Sequence, residues 1–504
     1  MRIGGKSLLG LMLVLHGAAQ VAALPSSDWP VTGGDPGGMR YSPLADINRT
    51  NVAQLQVAWT YRHGDYRSGW PDPFKGTAFE STPIVVEGRL IFTTPYNRVI
   101  ALAADTGKEL WTFDPQIDKG RRFANLMVNR GVAYWKDPAA QGPCASRVFL
   151  GTLDARLVAL DAKTGTLRWH FQTVHHDLWD YDLAAPPTLV RVRHEGREID
   201  AVAQGTKAGF VFLLDRETGK PLFPVEECPV PHSEILEEAS WPTQPFPSKP
   251  PALVPQRLTE ADLRTDDPQL YQRCLARFRT LRNEGIFTPP STQWTILYPG
   301  TNGGVNWSGG AFDPQNGLWF TPTNNEVHLI RLDPLPPDNF SQTTGIVMHT
   351  GWGGLRWLLW RTGTGLRYGQ IRGALIEDDR RCHKPPWGML HAVDLNTGEI
   401  RWQMPVGQDA ESGAQGLPNF GPPLVTAGGL VFHAGSQELK LRAHDSATGT
   451  VLATFDLPAG LHAGPITYKL TPEGKQYLII APGGHTRLGS KLGDYVIAYT
   501  LPNK

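Results

Sequence analysis

The chain has 504 residues, and 48 Lys and Arg balance 48 Asp and Glu. No net charge therefore selects nucleic acid or an anionic membrane surface as a partner. The 54 Gly, 43 Pro and 16 Trp indicate many short strands joined by tight turns, and all-β barrels and propellers reach this length as one domain.

Residues 1–23 read as an export signal. Arg2 and Lys6 give the positive start, Leu8 to Leu15 the apolar core, and Val21-Ala22-Ala23 the small-residue cleavage site. A mature chain from near Leu24, periplasmic or secreted, is expected, with an uncleaved anchor as the alternative. No other segment reaches spanning length, so the mature chain is expected to have no membrane span. Trp352 to Trp360 is apolar but short and interrupted by Arg356, which suits a packing helix or a docking patch.

Leu55 to Tyr61 has strand character, and a repeat follows it. Val99-Ile-Ala-Leu-Ala-Ala-Asp-Thr-Gly-Lys-Glu-Leu-Trp111 recurs as Leu157-Val-Ala-Leu-Asp-Ala-Lys-Thr-Gly-Thr-Leu-Arg-Trp169 and again at His391 to Trp402. Weaker copies run from Phe212 to Phe223 and from Ala443 to Ala453. Each reads strand, Thr-Gly turn, strand, with the Gly supplying a positive φ and the Trp or its substitute closing the hairpin. Most intervals between the turns suit four-stranded propeller blades.

Thr173-Val-His-His-Asp-Leu-Trp-Asp-Tyr-Asp182 follows the second copy and concentrates ionisable and aromatic residues. A carboxylate beside a Trp on such a loop is a candidate general base, because desolvation moves its pKa toward neutrality. The structural alternative is an acidic connection whose Trp179 fills a gap in the core.

Further on, about 225–300 and about 330–385 read as long loop and helix insertions. Thr259 to Asp262 resembles a capped helix start, and Asp267 to Asn283 is a predicted helix. Gly309 to Phe320 and Leu390 to Met404 supply two strands each to one blade. Asp494 to Leu501 is strand-like and is expected to pair with Leu55 to Tyr61, closing a ring that would otherwise expose open edges. The expected fold is all-β: a single closed β-propeller over residues 24–504, with six four-stranded blades and function at the channel mouth. Of Cys144, Cys228, Cys274 and Cys382, the preferred disulfide joins Cys274 to Cys382, since both flank insertions that a staple would tether. There is no Cys-x-x-Cys-His, so no covalent c-type haem is expected, and no zinc-like spacing.

From Asp28 to Leu501 the chain resembles the pyrroloquinoline quinone (PQQ)-dependent dehydrogenases, nearest to the glucose and quinate branch. The likeness is carried by Asp28-Trp29-Pro30, Arg40-Tyr41-Ser42-Pro43-Leu44, Phe171 to Asp180, Asn283 to Pro290, Lys384-Pro-Pro-Trp-Gly388 and Gly483 to Tyr495. It implies PQQ and calcium as cofactors, a small alcohol, polyol or sugar as substrate, and a membrane quinone or separate carrier as electron acceptor. By motif it implies Asp180 as the base and Lys207, in Gln204-Gly-Thr-Lys-Ala-Gly209, beside the quinone oxygens. Glu80 and Arg130 match cofactor-contacting positions, and an Arg fork suits a tricarboxylate. For each of these residues the plain alternative is a rim ion pair.

The family usually has eight blades, and the pair without a counterpart here would follow the second. In the family that region brings the Trp covering the quinone and most of the calcium ligands, so no metal ligands are assigned in this chain. Leu126 stands where the glucose branch has a ring-covering His, and Pro322 where it has an Asn, with Asn324 and Asn325 close by. Two alternatives to an active dehydrogenase follow. One is a propeller without PQQ or calcium that serves as a binding or scaffold module. The other is a sequence lacking a segment of its gene.

Overall fold

Each Thr-Gly repeat inside the described residues folds as the outer hairpin of an antiparallel sheet. The structure, a computed structural model, describes residues 29–502 except 36–37, 69–75, 118, 120–126, 137–145, 150–170, 182, 187, 216–217, 237, 335–343, 346–358, 361–367 and 410–411. The export signal, Leu126, Cys144, the 157–169 repeat and most of the Trp352–Trp360 patch therefore lie outside the described residues.

The blade sheets follow one plan. Strands Ile84–Val86, Arg89–Thr93, Val99–Ala103 and Glu109–Phe113 form the first in sequence order. Ala133–Lys136 pairs with Ser146–Phe149, and the chain then enters the undescribed stretch holding the second repeat. Thr188–His194, Arg197–Gly205 and Val211–Asp215 make a three-stranded sheet, extended by a bridge from Leu214 to Pro221. Ala311–Asp313, Leu318–Asn324, Gly388–Asp394 and Glu399–Pro405 form the interrupted blade expected from the sequence. Leu424–Thr426, Leu430–His433, Lys440–Asp445 and Val451–Asp456 form the next.

The last sheet is composite. Ile466–Lys469, Gln476–Ile480 and Tyr495–Thr500 are completed by Gln56–Arg62, with Gln56 opposite Thr500 and Arg62 opposite Tyr495. The expected pairing of the N- and C-terminal strands is thus present. The segment after Trp29 also runs along the first strands of three blades. Trp29 bridges Val85, Phe312 N–H donates to Met39 O at 2.7 Å, and Tyr41 pairs with Val425.

Two of the repeat aromatics, Trp402 and Phe223, do something other than close their own hairpins. Trp402 lies against the turn of the next blade, where a Cβ on Gly449 would come within 2.9 Å of its ring. Its indole N–H donates to Ser446 O at 3.0 Å in that same turn. Phe223 packs in the same way on Gly398, and Trp59 of the composite blade on Gly107 of the first. Gly449 also has φ +78°, held by Asp445, whose carboxylate accepts from Ala447 N at 2.8 Å and Thr448 N at 3.0 Å. Only Gly meets both demands, a left-handed backbone and no side chain beneath an indole. The hydrophobic core runs through these contacts: Trp59, Phe92, Phe432, Tyr468 and Val496 belong to one buried cluster that spans three blades.

Two insertions are tied to each other. Thr295–Leu297 of the first pairs with His328–Pro334, which pairs with Tyr368–Ala374 of the second. The disulfide joins Cys274 to Cys382, as the sequence suggested. The helix that carries Cys274 is shorter than expected, Pro268–Phe278, starting at Asp267, whose carboxylate accepts from Gln269 N and Leu270 N. Residues beyond Phe278 leave the helix because tertiary bonds claim them: Arg282 N donates to Trp294 O at 2.9 Å. No described helix is long and apolar enough to cross a membrane.

Replacing Trp402 with Ala should lower unfolding free energy by about 3 kcal/mol, as for other large aromatics removed from packed contacts. Gly449→Ala should also destabilise, through the ring contact and the positive φ. Equilibrium urea unfolding reads both, and an unchanged midpoint in either variant refutes the docking role.

Candidate functional site at one face of the propeller

Strand direction places the candidate residues on one face. In an antiparallel four-stranded blade, the loop entering the first strand and the loop between the second and third strands emerge at the same edge. Glu80, Arg130 and Asp180 lie on entering connections, before Ile84, Ala133 and Thr188. Lys207 and His485 lie between second and third strands. The Thr-Gly turns occupy the opposite face. Both insertions also rise from the site face, one between two blades and one between Asn324 and Gly388.

The Asp180 loop is held from the first insertion. Gln244 accepts from His175 N at 2.8 Å and donates to His175 O at 2.7 Å. His175 Nε2 contacts Glu227 at 2.9 Å, and His176 Nε2 contacts Glu238 at 2.6 Å, so both histidines fasten the loop. Trp179 is fully buried, donates to Thr288 O at 2.7 Å and packs on Phe287. It does fill the core, as the structural alternative held. The backbone then turns through φ +72° at Asp180, an uncommon value for a residue with a side chain.

Asp180 is framed by cations where the sequence suggested an apolar Trp face. Its Oδ1 lies 3.3 Å from Lys207 Nζ and its Oδ2 accepts from Arg372 at 2.9 Å. Lys207 is buried in a tight turn, where Gly209 N donates to Thr206 O at 2.9 Å and the next blade clamps it through Val305 N and Thr206 O, also at 2.9 Å. Arg372 sits on Tyr368–Ala374 opposite Ile330, steadied by Gln370, which accepts from its Nε at 3.0 Å. A cavity of about 470 Å³ adjoins the carboxylate, lined by Asp177, Leu178, Asp180, Glu238, Gln370 and Arg372. Arg372 escaped the sequence reading because it belongs to an insertion strand with no repeat or motif to mark it.

A second cluster holds Glu80. Its Oε1 lies 3.0 Å from His485 Nε2, and its Oε2 makes an ion-pair contact with Arg130 Nε at 2.9 Å. Burial pushes the Glu80 carboxyl up, but His485 and Arg130 outweigh it and hold the group below its ordinary value. Glu80 and Arg130 are thus brought together, as are Asp180 and Lys207, in two separate pairs on the same face. The sequence reading missed Asn306 and Trp307, on the connection entering Ala311–Asp313. Asn306 Nδ2 and Trp307 Nε1 are buried without a hydrogen-bond acceptor among the described residues, and Trp307 stacks on Phe420 at 4.6 Å. Their signal was an Asn-Trp pair before a strand. Asn324 is engaged within the protein, donating to Asn302 O at 3.1 Å and accepting from Asn419 N at 2.7 Å, and Asn325 donates to Pro386 O at 3.2 Å.

The sequence profile described as "Glucose/ethanol/alcohol dehydrogenase, beta-propeller domain" of the PQQ class matches residues 29–167 and 157–478. The chain belongs to the PQQ-dependent quinoprotein dehydrogenase family. The two matched segments overlap at 157–167, within the second repeat. A protein of Xanthomonas campestris pv. juglandis, "Probable quinate dehydrogenase (quinone)", is 40% identical over 69% of this chain, which spans 45% of that protein. The quinoprotein glucose dehydrogenase of Escherichia coli K12 is 27% identical over 96% of this chain and 80% of its own length. That alignment runs over 653 positions against a chain of 504, so the relative carries stretches with no counterpart here. The quinohemoprotein alcohol dehydrogenase of Comamonas testosteroni shares the fold, with TM-score 0.59, 19% identity and 96% of this chain covered.

The family implies PQQ, and the donor set fits it. PQQ is rich in acceptor oxygens, and this face offers the Arg130 guanidinium, the Lys207 ammonium and two orphaned buried donors, Asn306 Nδ2 and Trp307 Nε1. Calcium fits poorly. It takes six to eight oxygen ligands, whereas both oxygens of Asp180 face protein cations and Glu80 is held by Arg130 and His485. Among the described residues no group of three or more His, Cys, Asp or Glu could hold a metal.

The buried titratable groups set a response to acid. Burial lowers His63, His391, His444 and His462 to about 4, and His383 and His433 to about 3. Unfolded, each takes its proton near 6.5, so their contribution is complete above that value and declines as pH falls toward 4. Glu80, lowered in the fold, adds a further loss below the ordinary carboxyl value of 4.5. Melting temperature should fall steeply between pH 6.5 and 4. His433→Asn should flatten that limb, while Glu80→Gln should flatten only the limb below it.

Proposed function

We propose that this chain is an exported PQQ-dependent dehydrogenase that oxidises a polyol, sugar or alcohol, with Asp180 as general base and Lys207 beside the quinone. The observation that carries it is the Asp180–Lys207 pair beside an open cavity on the loop face. Relatives bear the names quinate, glucose and glycerol dehydrogenase, all acting on polyhydroxylated carbon skeletons. A cavity lined by Asp177, Glu238, Gln370 and Arg372 suits such a substrate, because adjacent hydroxyls need several donors and acceptors. Export is supported by residues 1–23 and by the Cys274–Cys382 disulfide, a bond that persists in oxidising compartments.

PQQ, when bound, would supply a two-electron acceptor for the hydride of the alcohol carbon. The protein's own work is to hold the hydroxyl against Asp180, which accepts its proton as the carbon–oxygen double bond forms. Lys207, fixed by its turn, places positive charge where negative charge develops. Arg130, with Asn306 and Trp307, anchors carboxylate groups of the cofactor. The electrons leave to a membrane quinone or a separate carrier.

The lack of a counterpart to part of the relatives' length favours one competing reading, a propeller that binds a partner and no cofactor. Titrating the purified protein with PQQ separates the two, since a ligand specific for the folded state raises its melting temperature. Saturable binding supports the dehydrogenase, and none at high cofactor concentration leaves the scaffold. Asp180→Asn should cut dye-linked polyol oxidation roughly 10²- to 10⁴-fold while PQQ still binds, the range for loss of a general base.

A further inference from the structure

We propose that Arg372 supplies, from within the protein, the fixed positive charge beside the base that a divalent cation supplies in the family, so that this chain binds PQQ without a metal. The inference rests on the PQQ-dependent reading and concerns the same site.

The geometry is that of a carboxylate with both oxygens already countered. Oδ1 faces the buried Lys207 ammonium at 3.3 Å, and Oδ2 accepts from the Arg372 guanidinium at 2.9 Å. A calcium ion on Oδ2 would lie at about 2.3–2.6 Å from that oxygen, against a like charge that the fold holds in place. The Arg372 side chain is 45% exposed, and two contacts steady it. Its strand is hydrogen-bonded along His328–Pro334, and Gln370 accepts from its Nε. The insertion that delivers it is itself stapled by Cys274–Cys382.

The charge count points the same way. Lys207 and Arg372 are the cations at Asp180, and the same cavity wall also carries the Asp177 and Glu238 carboxylates, so an anionic tricarboxylate beside Asp180 depends on both cations. Removing Arg372 leaves that wall more acidic. Arg372 is therefore a positioning residue, acting through the field at Asp180. His328, half-buried nearby with its Nδ1 accepting from Thr301 N at 3.1 Å, does not replace it, because desolvation lowers its pKa.

The test uses the full-length protein stripped with a chelator. PQQ is titrated with and without millimolar calcium, following tryptophan quenching and melting temperature. In parallel, equilibrium dialysis with calcium, and terbium luminescence, read metal on the protein alone. Calcium should change the PQQ dissociation constant by less than about twofold, and the dialysed protein should hold under roughly a tenth of an ion per chain, since the described residues offer no six-oxygen site. Arg372→Gln should weaken PQQ binding about tenfold or more with calcium present or absent, and Arg372→Lys should stay within about threefold of wild type, because the charge matters and not the fork. A calcium requirement in wild type, a stoichiometric ion lost in Asp180→Asn, or an Arg372→Gln variant that binds like wild type overturns the inference. If PQQ does not bind under any condition, the dehydrogenase reading fails. The dialysis and terbium arms then still decide whether the Asp180 site excludes a divalent ion.

Discussion

An aromatic ring laid over a glycine of the neighbouring blade is the contact on which the ring of sheets depends. Trp59 on Gly107, Phe223 on Gly398 and Trp402 on Gly449 repeat one geometry at three junctions. Each carries an outer strand of one blade onto the turn of the next, so the angle between blades is set by a contact that does not involve the channel. Such a joint is indifferent to the number of blades beyond it. A chain shorter than its relatives can therefore keep the joint at every remaining junction, and the face opposite the turns is free to change.

That opposite face is where the chemistry gathers, for a reason of connectivity. The Thr-Gly turns are short and occupied with packing, whereas the loops at the other edge carry Glu80, Arg130, Asp180, Lys207, His485 and both insertions. The insertions do more than cover the site. One fastens the Asp180 loop through Gln244, Glu227 and Glu238, and the other delivers Arg372. Asp180 is thus positioned by elements outside the repeat, on a backbone turn that a residue with a side chain adopts only when its surroundings hold it.

What the sequence disclosed and what it withheld divide along the range of the interactions. The Thr-Gly turns were legible because a positive φ and a carboxylate cap are local demands. Glu80, Arg130, Asp180 and Lys207 were each reachable by motif, though not their pairing, and the Cys274–Cys382 bond by its flanking of two insertions. The docking role of Trp402 was not, since its partner lies in the next blade and not in its own hairpin. Trp179 misled in a similar way: adjacency to Asp180 in the chain suggested desolvation, while its ring turns to Thr288 and Phe287. Arg372 was invisible because only the folded insertion brings residue 372 to residue 180.

The composite sheet sets the order of events in folding. Among the described residues Gln56–Arg62 has no in-sheet neighbour other than Tyr495–Thr500, so an early strand must wait for one of the last to be synthesised. Until then the first blade lacks its docked Trp59, and the nascent chain presents bare strand edges to whatever surrounds it. Closure over so long a loop is entropically slow. The half-made ring is consequently the species most exposed to chaperones and to aggregation, and the sealing strand acts as a checkpoint on the completeness of the chain.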